Sequence, residues 1–224
     1  MPESGLRQRK KQRTREAIAA AAAALFAERG YENVAVTDVA HAADVSEQTV
    51  YNYFPTKERL VLDSDDEFLA RLTTRVAQRA PGSSPAAALR PEAVALLDRM
   101  ATIPAEQARG GLAYLVAVSP AVRRLSLEIS DRHAAAVAGI IAAAPDGPGP
   151  HLARIQATAL VAVFQLIIDE AGRRLVAGEV PAQIAAALRP VAAAALDSLD
   201  GWLNSPPPAS TVPASTVPDG RSRG

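Results

Sequence analysis

The chain has 224 residues, and 24 lysines and arginines balance 24 aspartates and glutamates, so net charge by itself points to no acidic partner. There is no cysteine, which excludes disulfides and thiolate metal sites and fits a reducing cytoplasm. Apolar residues reach 49%, aromatics only 4%, and alanine is abundant. Alanine is the strongest helix former, so an all-α protein with a sizeable core is predicted.

Residues 1–13 form a basic arm. Arg7, Arg9, Lys10, Lys11 and Arg13, with Arg15 just beyond, face Glu3 alone. The composition predicts an irregular tail of the kind that often meets phosphates. The arm and the following "AIAAAAAALFA" imitate a secretory leader. Glu16 interrupts the junction and the run is alanine rather than leucine, so it reads as a helix, Thr14–Arg29, with Ile18, Ala22, Leu25 and Phe26 on one face. Gly30 ends it. A second helix is predicted over Thr37–Ala43, a tight turn at Asp44-Val45, and a third helix over Glu47–Phe54 with Ser46 as its cap. Pro55 stops that helix, and Thr56 starts a fourth, longer one running to Arg79.

"APGSSPAA" (Ala80–Ala87) reads as a break. Helices are predicted over Pro91–Ile103, Glu106–Val118, Val122–Ala144 and His151–Ala177, with a loop at Pro145–Pro150. Pro181 opens the last helix, towards Leu203, and Pro190 is expected to kink or split it. The nearest approach to a membrane span, "ALVAVFQLII", is half of the ~20 apolar residues required, so no membrane is expected. Residues 204–224 are rich in Pro, Ser and Thr, repeat "PASTVP", and are expected to be disordered.

Two short helices joined by a tight turn, the second capped by serine, describe a helix-turn-helix. Glu47, Gln48 and Thr49 would sit at the leading end of the second helix, where side chains meet base edges. Tyr51, Asn52 and Tyr53 follow on the next turn, where polar tips reach phosphate oxygens, while Val50 and Phe54 face inward. Lys57 opens the next element, at a helix start that favours a phosphate.

The block "VAVTDVAHAADVSEQTVYNYFPTKERL" (Val34–Leu60), preceded by "TREAIAAAAAALFAERGYENV", resembles the DNA-binding domain of the TetR family of transcriptional repressors. The match covers residues 14–60. The resemblance implies an all-α fold: a three-helix DNA-binding domain over residues 14–56, then a helical domain of about six helices over 57–203 for effector binding and dimerisation. It also implies DNA contacts at Ser46, Gln48, Thr49, Tyr51, Asn52, Tyr53 and Lys57, with Thr37 substituting for the threonine the family carries before its second helix. Asn52 departs from the family's usual aromatic or histidine.

A pocket is implied between the middle helices, with Tyr114, Val118, His133, Phe164, Gln165 and Ile168 as its candidate lining. Leu112, Leu115, Leu127 and Val137 are further candidates. So mostly apolar a lining suits an apolar or amphipathic effector. Two stripes carry the homodimer expectation: Leu152, Ile155, Ala159, Val163, Ile167 and Ala171, and then Ile184, Leu188, Val191, Ala195, Leu199 and Trp202. Such helices pair into a four-helix bundle, though either stripe also serves an intrachain core.

Other groupings point elsewhere. "DSDDE" (Asp63–Glu67) lacks the spacing of a calcium loop and reads as a solvated face with i, i+4 pairs Arg59–Asp63 and Glu67–Arg71. Ser126, Ser130, Asp131 and His133 share one helix without a nucleophile elbow, so no enzyme is expected. The three histidines lack metal-ligand spacing, and no cofactor is expected. The functional expectation is a repressor that binds a palindromic operator in double-stranded DNA as a dimer and is released by a small lipophilic ligand. The alternative is a helical small-molecule-binding protein without specific DNA binding.

Overall fold

The computed structural model describes residues 3–145 and 147–204, with side chains described from residue 9 onward. The tail expectation for 205–224 lies outside the described residues. The described part is all-α: α1 (Glu3–Arg29), α2 (Val36–Ala42), α3 (Glu47–Tyr53), α4 (Asp65–Ala77), α5 (Pro85–Ala101), α6 (Leu112–Val118), α7 (Pro120–Ala142), α8 (Pro150–Val176) and α9 (Pro181–Asn204). Short 3-10 turns stand at Tyr31–Asn33, Lys57–Leu60 and Ala108–Gly110.

Several elements depart from the sequence expectation. The basic arm is drawn into α1 from Glu3, because the alanine run behind it supplies a nucleus and its Arg, Lys and Gln residues propagate helix well despite Gly5. The fourth helix is broken: Lys57–Leu60 is a 3-10 turn, and α4 begins only at Asp65. Buried Leu60 and Leu62 pull the chain inward between the two pieces. Pro91 lies inside α5 rather than opening it, since Ser84 caps the helix earlier by accepting from the Ala87 amide at 3.1 Å. Pro190 lies inside a continuous α9. Both prolines point to solvent, where water can satisfy the carbonyls they leave unbonded. The segment before α6 is a 3-10 turn instead of a helix from Glu106.

Two apolar cores form. One joins α4, α5, α7, α8 and α9 through residues such as Leu72, Leu97, Val137, Leu160 and Leu196. The other gathers Ile18, Phe26, Tyr31, Val39, Val50 and Phe54 around the turn between α2 and α3, and it continues into Leu115 and Val116 of α6 and Val122 of α7. The expected boundary after residue 56 therefore does not divide the cores.

Two glycines hold α6 in place. A Cβ on Gly110 would lie 2.0 Å from the Ala23 carbonyl oxygen of α1. A Cβ on Gly172 of α8 would lie 2.1 Å from the Ala113 carbonyl oxygen of α6. Only glycine permits such backbone contact, so α6 and its leading turn are wedged between α1 and α8. α8 is long and apolar enough to cross a membrane by length and composition, which amends the expectation from the shorter run. In the fold it packs against α6, α7 and α9, the arrangement of a central core helix.

Candidate nucleic-acid interface and interior cavity

The turn between α2 and α3 places Asp44 at φ 53, a left-handed conformation that Asp tolerates better than most side chains. Ala35 donates its amide to Asp38 Oδ2 at 2.8 Å, fixing the start of α2. Ser46 Oγ accepts from the Thr49 amide at 3.1 Å and pairs with Thr49 Oγ1 at 2.8 Å. Val50 and Phe54 are buried beneath α3. The opposite face carries exposed Glu47, Gln48, Tyr51 and Asn52, with Gln48 Nε2 donating to Asn52 Oδ1 at 3.1 Å.

Thr37 is exposed in the first turn of α2, while Thr49 and Tyr53 are half-buried. Arg15 ties this unit together: its Nε meets Asp63 Oδ1 at 2.5 Å, its Nη1 donates to the Tyr53 carbonyl, and its guanidinium lies over the Phe54 ring. Lys57 Nζ donates to the Tyr31 carbonyl at 2.5 Å and sits 4.1 Å from the Tyr31 ring centroid. Burial lowers the Lys57 ammonium below its ordinary range, against the pull of Glu32 and Glu58. Lys57 is thus a packing residue as well as a candidate phosphate contact. Arg9, Lys10 and Arg13 of α1 flank an open groove whose far side is Ala43, Asp44 and Val45.

A separate cavity of about 200 Å³ lies between α4, α5, α7 and α8. His133, Phe164, Gln165 and Ile168 line it, as does Leu112. Tyr114 and Val118 do not: Tyr114 packs beside the N-terminal core and Val118 faces solvent. Residues 114 and 118 are one turn apart on α6, but the Gly172 contact turns that face away from the cavity. Leu127 is exposed, and Leu115 and Val137 belong to the packed cores.

The lining is also more polar than expected. Ser126, Ser130 and His133 share one face of α7, a spacing of four and three that the sequence displayed. Gln165 Oε1 accepts from Ser130 Oγ at 2.9 Å and from Ser126 Oγ at 3.4 Å, and Gln165 Nε2 donates to Asp169. Asp65 is buried and bonded by Arg59 at 2.9 Å and by Arg132. The acidic run is therefore a solvated face only in part: Ser64, Asp66 and Glu67 are exposed, but Asp65 lines the cavity and Asp63 belongs to Arg15. Arg15 and Arg132 reach these carboxylates from far along the chain, and Arg59 reaches Asp65 across six residues, so no i, i+4 spacing announces the pairs. Among the described residues no group of His, Asp and Glu gathers to hold a metal ion.

Residues 18–63 match the family model described as bacterial regulatory proteins, tetR family. Over 81 residues the chain is 40% identical to the HTH-type transcriptional regulator TcmR of Streptomyces glaucescens, covering 34% of this chain and 36% of that protein. Over 77 residues it is 31% identical to the uncharacterized HTH-type transcriptional regulator YuxN of Bacillus subtilis (strain 168), covering 34% and 26%. The aligned stretch thus spans well under half of either relative. The structure is similar to that of NalD, the secondary repressor of the MexAB-OprM multidrug efflux pump in Pseudomonas aeruginosa. The TM-score is 0.55 at 20% identity, over 84% of this chain and 96% of that one, a likeness of fold.

Proposed function

We propose that this chain, which belongs to the TetR family of bacterial transcriptional regulators through its N-terminal domain, is a repressor that binds an operator as a dimer and lets go when a small molecule enters the interior cavity. The observation that carries the reading is α3. It is a short helix capped by Ser46, anchored by Val50 and Phe54, and otherwise presenting Gln48, Tyr51 and Asn52 outward. A side chain amide such as Gln48 can read adenine in the major groove. Tyr51, Tyr53, Thr37 and the two Lys57 protons not bonded to Tyr31 suit backbone positioning, and Arg9, Lys10 and Arg13 add phosphate attraction beside the turn.

Dimerisation supports a palindromic site, because two-fold symmetry in the protein is mirrored in the DNA. The stripes drawn from sequence serve mainly the intrachain core: Val163, Ile167, Ala171, Ile184 and Leu188 are buried. Leu152 and Ile155 of the first stripe are exposed, α8 also exposes Ala162 and Leu166, one position before Val163 and Ile167, and α9 leaves Val191 and Trp202 exposed. A second copy is the natural cover for two such adjacent faces.

Release follows from α4. Its first residue, Asp65, lines the cavity and holds Arg59, which belongs to the turn that follows the recognition helix. A ligand that binds better when α4 has shifted draws the molecule away from the DNA-competent state. The test is selection of random duplexes by the full chain. Enrichment of an inverted repeat is expected, relaxed at one position per half-site by Gln48→Ala. Ile155→Glu with Leu166→Glu should give monomers that no longer select the repeat. Retention of duplexes with no enriched sequence would sink the proposal.

A further inference from the structure

We propose that the cavity between α4, α5, α7 and α8 selects a compact, neutral ring compound bearing a hydroxyl, a phenol-like molecule whose proton His133 accepts. This deepens the effector reading above and rests on it.

The argument starts from donors. On the α7–α8 wall the hydroxyl protons of Ser126 and Ser130 are directed at Gln165 Oε1, and Gln165 Nε2 is directed at Asp169. His133 is 4% exposed and its Nε2 has no partner. The ring also faces the Asp65 backbone in a contact that favours its protonated form, where a ring N–H can only donate. With Nε2 unpartnered, that donor is Nδ1. Burial, and then the Arg132 charge, lower the imidazole below its ordinary value, so the ring is neutral at pH 7. A neutral imidazole has one donor and one acceptor. Nε2 is therefore a buried acceptor, and the serine oxygens beside it offer only lone pairs. A buried acceptor without a donor costs stability, and a ligand that supplies the donor recovers it.

Size and shape narrow the class. The volume of about 200 Å³ is larger than the roughly 150 Å³ void known to hold benzene and smaller than typical drug sites. One or two fused rings fit. Phe68 meets Phe164 edge-on at 5.3 Å and His133 at 5.6 Å, so a flat ring finds aromatic walls. A carboxylate is disfavoured on this wall, because it brings no proton and meets Asp65. The cations lining the cavity, Arg71 and Arg99, stand across from it on α4 and α5; Arg71 is engaged by Glu92, and Arg99 is exposed to solvent.

The experiment is calorimetric titration of the full chain with 2-naphthol, 2-methoxynaphthalene, naphthalene and 2-naphthoate. Naphthol should bind about tenfold tighter than the other three, the size of one net hydrogen bond to a buried acceptor. His133→Phe should remove that advantage, leaving naphthol and naphthalene equal. The unmodified protein alone already decides the donor requirement, should that variant fail to fold. Equal affinity for naphthol and its methyl ether, tighter binding of naphthoate, or no binding of any ring would each overturn the proposal. Naphthol binding that leaves DNA retention unchanged would uphold this inference and remove the release mechanism instead.

Discussion

The N-terminal unit and the helical body use their side chains in opposite senses. Around α3 the functional candidates point outward, and the residues that aim them are neighbours in sequence: Ser46 caps, Val50 and Phe54 anchor, Asp44 turns. In the body the candidates point inward, and the residues that aim them come from far along the chain. Asp65 takes Arg132, Gln165 takes Ser126 and Ser130, and Glu92 takes Arg71 and Arg75. A surface that reads another molecule can be built locally. A cavity needs walls from several elements, so its polarity is set by long-range pairs.

The sharpest way to break that contrast is at the seam. If the two regions are truly joined through α6, then Gly110→Ala, which forces a Cβ against the Ala23 carbonyl, should cost about 3 kcal/mol. At this chain length that is a fall of roughly 6–12 °C in Tm. Thermal denaturation checks it, and an unchanged Tm would mean that the regions pack independently.

That seam also marks where legibility ended. Helix existence was readable throughout, because alanine and apolar spacing suffice. The N-terminal motif was readable in detail, because caps, turn and anchors lie within a few residues. The break between Lys57–Leu60 and α4 was not, since it depends on where Leu60 and Leu62 are buried. Helical spacing puts His133 on α7 and Phe164, Gln165 and Ile168 on α8 where they line the cavity, whereas Tyr114 and Val118 lie away from it because the Gly172 contact sets the rotation of α6. Ser126 and Ser130 were visible at helical spacing with His133, but only their shared partner on α8 gives them a role.

A smaller effect tests the long-range pairs of the body. Burial disfavours the Glu92 carboxylate, but the hydrogen bonds from Arg75 and Arg71 outweigh it and hold Glu92 below its ordinary value. A folded pKa below the unfolded one gives stabilisation that is complete above the unfolded value, about 4.3, and is lost as pH falls through the folded value. Glu92→Gln should therefore cost about 1–2 kcal/mol at pH 7, discounted for the half-exposed arginines, and much less at pH 3. Melting curves at the two pH values read the difference, and an equal loss at both would place the cost in packing rather than charge.

The smallest effect tests the local logic. Ser46→Ala removes the side chain acceptor for the Thr49 amide and should cost about 1 kcal/mol. Chemical denaturation measures it. A loss of several kcal/mol would show that the α3 cap is held by more than its own neighbours.

Trp202 gives the molecule an optical property of its own. It is the sole indole in the chain, 43% exposed near the end of α9, while the rings beside the cavity are Phe68, His133 and Phe164. Its emission therefore reports the polarity around that end of α9 and carries no direct signal from the cavity. Fluorescence excited at the indole band can follow coverage of the α9 face, while a ring compound entering the interior announces itself optically through its own absorption and emission.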